Sequence, residues 1–197
     1  LSEALSEAAD GTDYNFIKNV AVLSGTLNAE DYAALTAIPN LEILELAKAE
    51  TENGVIPENA LTSRNQLSLI TLPKNTVEIG NNAFSSNRKL IKVSMPSTVT
   101  KIGDYAFGGL KFLKTVKMTD SVTEIKAGAF DGCSNLTTVE FSNNLRVIGN
   151  YAFSSCQNLS LTQLPPRVTT IGDYAFQFCY KITSIDLGDS ITKLGSK

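Results

Sequence analysis

Apolar residues in this chain return to the same place every 23 positions: Ile79, Ile102, Ile125, Ile148, Ile171 and Leu194. Each of the five isoleucines opens a short phrase ending in Ala-Phe, such as Ile-Gly-Asn-Asn-Ala-Phe at 79 and Ile-Gly-Asp-Tyr-Ala-Phe at 102 and 171. If the isoleucine is position 1, positions 5 and 6 are Ala and Phe in five successive units, giving Phe84, Phe107, Phe130, Phe153 and Phe176. Apolar residues then recur at positions 12, 15 and 17, as in Leu90-Val93-Met95 and Leu113-Val116-Met118. The series continues with Leu136-Val139-Phe141, Leu159-Thr162-Leu164 and Ile182-Ile185-Leu187. Alternation with β-branched residues is the mark of a strand with one buried face. A fixed period of this length predicts a solenoid whose units stack and close a core only together. The five phenylalanines are then expected to form one continuous internal spine.

The pattern extends backwards with less regularity. Ile56-Pro57-Glu58-Asn59-Ala60-Leu61 is a softened copy of the phrase, and Leu67-Ile70-Leu72 follows it. Leu41-Leu44-Leu46 lies 26 residues earlier rather than 23, and Ile17-Val20-Val22 a further 24. The extra residues belong near Asn53-Gly54, a natural turn pair. Parallel strands need crossovers, not hairpins, so about eight coils with one short parallel strand each are expected. Leu1, Ala4, Leu5 and Ala8 fall at helical spacing, which predicts a helix over 1–10 inside an N-terminal cap over 1–16. A second helix is expected over 29–38, with Asn28 as its cap, Asp31 three residues on and Pro39 ending it. The single domain 1–197 thus divides into the helical cap, irregular first coils over 17–55, regular repeats over 56–193 and the start of a further repeat at 194–197.

Bulk properties narrow the class. The chain has 197 residues and is 43% hydrophobic, enough for a core. No stretch approaches the roughly 18 apolar residues of a membrane-spanning helix. The opening at Leu1 is acidic and does not read as a secretory leader. Residues 1–60 hold eleven acids and two bases, whereas 61–197 hold nine acids and fifteen bases. A pI near 5.1 lacks the basic footprint of a nucleic-acid binder. Histidine is absent, which removes the usual general base near neutral pH and the commonest zinc ligand. No cofactor motif is present, and the glycines at position 2 read as turn residues rather than a phosphate loop. Together these features predict a protein that is not an enzyme.

The phrase Ile-Gly-Asp-Tyr-Ala-Phe, followed by Phe-x-x-Cys, a strand, Pro and Val-Thr-x-Ile-Gly, resembles the BspA-like class of leucine-rich repeat of bacterial surface proteins. The likeness is strongest over 56–197, and 17–55 resembles that family's N-terminal coils. It implies a right-handed leucine-rich-repeat superhelix, secreted or at the cell surface. Adhesion by binding a host extracellular or cell-surface protein is the role implied, with no catalytic residues. The alternative is a structural spacer or assembly unit of a larger surface protein, self-associating through an uncapped C-terminal end.

Three constellations have competing readings. Cys133, Cys156 and Cys179 share position 9 and should stack on successive coils. Zinc wants a tetrahedral cage and not a ladder, and stacked Cβ atoms nearly 5 Å apart exceed the ~3.8 Å of a disulfide. Buried apolar thiols are therefore expected, and the other residues at position 9, Asn87 and Leu110, read as neutral drift. Tyr105, Tyr151 and Tyr174 share position 4, where they could stack on sugars or simply cover the turn. Positions 14 and 16 should face outward on a concave sheet. There Lys92, Thr115, Lys117, Glu140 and Gln163 are the binding candidates, set in a stretch (88–126) with eight bases and three acids. That stretch reads as a basic patch for an acidic partner or as ordinary solvated charge.

Overall fold

Most regular coils of the computed structural model, which describes residues 14–196, contribute two short strands, each to a different parallel stack. The first sheet holds the strands expected from positions 14 to 16. It begins with β1 (Asn19–Ala21), β3 (Ile43–Glu45), β6 (Leu69–Thr71) and β8 (Lys92–Ser94), joined side by side in that order. A separate pair follows, β10 (Thr115–Lys117) and β12 (Thr138–Glu140). In the last two coils the expected strands shrink to a single parallel bridge between Gln163 and Asp186. Polar Thr162 occupies an inward position there and is exposed, so that coil lacks the apolar anchor that holds Val116 in β10.

The second sheet was not expected. Its seven strands are β5 (Val55–Ile56), β7 (Glu78–Ile79), β9 (Lys101–Ile102), β11 (Glu124–Ile125), β13 (Val147–Ile148), β14 (Thr170–Ile171) and β15 (Lys193–Leu194). They pair in unbroken register, so the period-opening isoleucines lie directly opposite one another. One strand per coil is therefore corrected to two. A two-residue strand carries one inward side chain, too few for alternation to reveal it. The outward residues of this sheet alternate in sign at Glu78, Lys101 and Glu124. Lys101 Nζ lies 3.2 Å from Glu78 Oε1, and this carboxylate, ahead of other neighbours, raises the Lys101 pKa. A third, two-stranded pairing joins β2 (Thr26–Leu27) to β4 (Glu50–Thr51). The extra residues of that coil form a tight turn, Glu52–Gly54, in which Asn53 and Gly54 both have positive φ.

Between the sheets lies a turn that is more ordered than its sequence suggests. Backbone N–H groups at positions 4, 6 and 8 donate to carbonyls at positions 3, 5 and 7 of the next coil. Asn82, Phe84 and Ser86 donate to Asp104, Ala106 and Gly108, and Tyr105, Phe107 and Gly109 repeat the pattern onto Ala127, Ala129 and Asp131. The geometry requires left-handed backbone at positions 4 and 8: φ is 51° at Tyr105, 56° at Tyr151 and 56° at Tyr174. Non-glycine residues there each sacrifice roughly 1–2 kcal/mol, offset by the satisfied ladder. The position-2 glycines have a different cause from the turn role expected of them. A methyl group on Gly80 would lie 2.4 Å from Ile56 O, so close stacking and not a positive φ demands glycine.

The core runs the length of the stack. Phe84, Phe107, Phe130 and Phe153 are fully buried, and successive rings from Phe84 to Phe176 lie parallel with centroids 5.2–5.6 Å apart. At the N-terminal side, α1 (Ala29–Thr36) buries Tyr32 and Leu35. Its start is a capping box in which Asn28 Oδ1 accepts from Asp31 N and Asp31 Oδ2 accepts from Asn28 N, both at 3.0 Å. The helix expected over 1–10 lies outside the described residues, and the end of the expected cap is a short 3-10 turn, Tyr14–Phe16.

Candidate binding face

The outward row of the first sheet is set by strand alternation: Val93 and Val116 point inward, so Lys92, Thr115 and Lys117 point out and are exposed. In-register pairing sets Lys117 opposite Glu140, with Lys117 Nζ 3.2 Å from Glu140 Oε2. The Lys117 side chain is 77% exposed, so the pair orients the two groups while adding only about 0–1 kcal/mol. Lys117 is thus not a free cation of a basic patch, whereas neither Lys92 nor Lys114 has an ion-pair partner among the described residues.

The row is cut by two seams. Between β8 and β10 the ladder stops. The bonds that Ile91 and Lys92 make to Ser68 O have no counterpart from Lys114 and Thr115 to Ile91 O. A groove of about 580 Å³ opens there, lined by Lys92, Thr115 and Lys117 together with Leu69, Ile91, Phe112 and Lys114. The second seam follows β12 and holds a groove of about 410 Å³ that includes Gln163, Phe141 and Pro165. The structure therefore brings Lys92, Thr115 and Lys117 to one groove, ties Glu140 to its far rim and places Gln163 in another.

Lys114 belongs to the basic stretch expected near Lys92 and Lys117, whereas sequence reasoning missed Ile91 and Phe112, which lie outside positions 14 and 16. A signal existed. At position 11, Asn135 and Asn158 donate through Nδ2 to Lys111 O and Ser134 O of the preceding coil at 2.7 and 2.8 Å. Phe112 stands at that position and cannot make the bond.

The cysteine row has a structural account. Cys133, Cys156 and Cys179 are free, and their Sγ atoms lie 3.1–3.2 Å from the carbonyls of Phe107, Phe130 and Phe153. Position 9 therefore supplies a buried donor to the phenylalanine of the coil before. Asn87 does the same for Leu61 O at 2.7 Å, and its Nδ2 also reaches Phe84 O at 2.7 Å, the carbonyl that Leu110 cannot serve. Asn87 and Leu110 are thus a coupled pair and not neutral drift. The Cys156 thiol is pushed up by its hydrogen bond with the Cys133 thiol and then by burial, and burial raises Cys179 to about 11. Among the described residues no group of side chains is arranged to hold a metal ion. The tyrosines cover the turns: Tyr151 and Tyr174 stack at 5.0 Å, and Tyr105 leans over Gly128, where a methyl group would lie 2.2 Å from its Cε1.

Stacked parallel coils of this length, with a phenylalanine spine, define a leucine-rich-repeat solenoid. The family model described as "BspA type Leucine rich repeat region" matches residues 16–112 and 77–197, with six copies, and the chain belongs to that family. A leucine-rich repeat protein from Bacteroides ovatus superposes with a TM-score of 0.71 at 23% identity, over 91% of this chain and 43% of its own. A leucine-rich cell surface protein from Faecalibacterium prausnitzii gives 0.53 at 23% identity, over 87% of this chain and 55% of its own. The T. pallidum leucine-rich repeat protein gives 0.57 at 22%, over 87% and 73%. This chain thus spans about half the length of the first two, and the likeness concerns the fold. No match was found among curated proteins.

Proposed function

We propose that this chain is a non-enzymatic, extracytoplasmic protein-binding module of adhesin type. In this reading the superhelix is right-handed and its first sheet is the concave surface. That sheet presents Lys92, Thr115, Lys117, Glu140 and Gln163 to a host extracellular or cell-surface protein. The observation that carries the reading is the groove at the first seam, where three of these residues converge on a rigid stacked scaffold. Membership of a family of bacterial surface repeats supports it. Capture from host extracellular-matrix and cell-surface extracts, with the Lys92→Glu/Lys117→Glu variant alongside, is the test. A specific partner that the variant loses is expected, and equal capture by both proteins rejects this face. A second reading, a spacer or assembly unit, is favoured by the charge polarity along the chain, with eleven acids and two bases in residues 1–60. Opposite-charge ends suit head-to-tail association. Sedimentation at low and high salt separates the two, since a monomer at every ionic strength rejects stacking.

A further inference from the structure

We infer that the seam between β8 and β10 is a binding groove for an acidic peptide segment carrying an aromatic or aliphatic side chain. The inference deepens the proposed binding role and rests on it. Two observations meet at this place. The first is compositional. Where the coil opened by Ile125 puts residues that serve the stack, each of the two coils flanking the seam puts a bare apolar group: Phe112 stands where Asn135 and Asn158 bond to the preceding coil. Ile91 occupies the position at which the Thr137 hydroxyl donates to Lys114 O at 3.0 Å. Phe112 is 53% exposed and Ile91 52%, and both line the groove. Local rules that the fold prefers are most often broken where a partner compensates. A large exposed aromatic is also the residue type that anchors interfaces.

The second observation is electrostatic. Lys92 and Lys114 rim the groove without carboxylate partners among the described residues, and Lys117 shares its charge with Glu140 on one side only. Two of the three acids in 88–126 face backbone instead: Asp104 Oδ1 accepts from Ala127 N and Asp120 Oδ1 from Asn143 N, both at 3.0 Å. The groove therefore pairs an apolar floor with a positive rim. The matching ligand has carboxylates spaced around one or two apolar side chains. The interrupted ladder adds free polar groups, because the amides of Lys114 and Thr115 lack the Ile91 O that the repeat would give them. A carboxylate or a peptide carbonyl could accept from them.

The test is a titration of the uniformly ¹⁵N-labelled chain with a synthetic heptapeptide, acetyl-Glu-Leu-Glu-Phe-Glu-Leu-Glu-amide, followed by amide chemical shifts. A peptide with lysine in place of every glutamate is the control. The variant is Ile91→Thr/Phe112→Asn, which installs the residues that Thr137 and Asn135 provide at the same positions of the coil opened by Ile125, where both bond to the preceding coil and so keep the stack intact. Saturable shifts at 91–95 and 112–117, absent with the lysine peptide, lost in the variant and weakened by salt, are expected. No shifts, equal shifts with the lysine peptide or unchanged shifts in the variant overturn the inference. Shifts confined to 138–140 and 163 also overturn it, while leaving the wider binding face standing. Concentration-dependent broadening at the seam without peptide would overturn it in favour of a second copy of this chain.

Discussion

The Asn87 side chain reaches Leu61 O and Phe84 O from a single nitrogen, covering for Leu110 one coil later. Replacing Asn87 by Cys keeps the donor to Leu61 O and strands the buried Phe84 carbonyl, which should lower stability by about 1–3 kcal/mol. Adding Leu110→Cys supplies the missing donor, so the double variant should regain much of that loss. Urea denaturation of the two single variants and the double variant checks the coupling, and strictly additive effects would refute it. This level was only half legible in the sequence. The recurrence of Cys at position 9 marked a small buried side chain, but the carbonyl it serves lies 26 residues earlier and appears only when coils are stacked. Left-handed backbone at position 4 was hidden because tyrosine occupies it in three coils. Asn59, Asn82 and Gly128 at the same position were the available hint.

At the scale of elements, the phenylalanine spine and the two sheets differ in continuity. Phe130 is buried between Phe107 and Phe153, whereas Phe176 has a ring neighbour on one side and is half-buried. Phe130→Ala should therefore cost about 3–5 kcal/mol, and Phe176→Ala clearly less, by chemical denaturation. Equal losses would show that the stack does not act as a spine. The second sheet is unbroken over seven strands, but the first is cut after β8. Hydrogen exchange should therefore be faster at the amides of Lys114 and Thr115 than at those of Lys101 and Lys126, which bond to Val77 O and Ile102 O. Uniform protection across both sheets would contradict the seam. Side-chain pattern could not foresee that seam, because Lys92–Ser94 and Thr115–Lys117 carry the same alternation. What differs between them is backbone pairing, to which alternation is blind. The grid of isoleucines and the Ala-Phe column were legible because each repeats one chemical choice in five coils.

Across the whole molecule, the buried acids set a pH limit. Burial raises Cys179 from 9.0 to about 11 and Tyr32 from 10.0 to about 12, so the fold holds both groups protonated. Below about pH 9 folded and unfolded chains bind the same protons at Cys179, and stability does not depend on it. Between that value and about 11 the unfolded chain has released a proton the folded chain retains, so stability must fall as pH rises. Urea midpoints measured from pH 7 upward should stay level and then decline beyond about pH 9, less steeply in Cys179→Ala. A level curve throughout would refute the assignment. Exposed ion pairs such as Lys18–Glu42, at 2.9 Å, should contribute little to this profile.

The turn ladder has a consequence for how such a chain can change over generations. Its bonds run to the next coil, so a residue's partner lies 22 positions on along the sequence, one short of a full period. Deleting or duplicating a whole 23-residue unit leaves every surviving donor facing an equivalent acceptor. Losing a single codon inside a strand turns the inward residues beyond it outward and shifts each bond by one place. Unequal recombination between coils should thus yield folded chains of different lengths, while small frame-preserving insertions are purged unless they fall in bulges such as Glu52–Gly54.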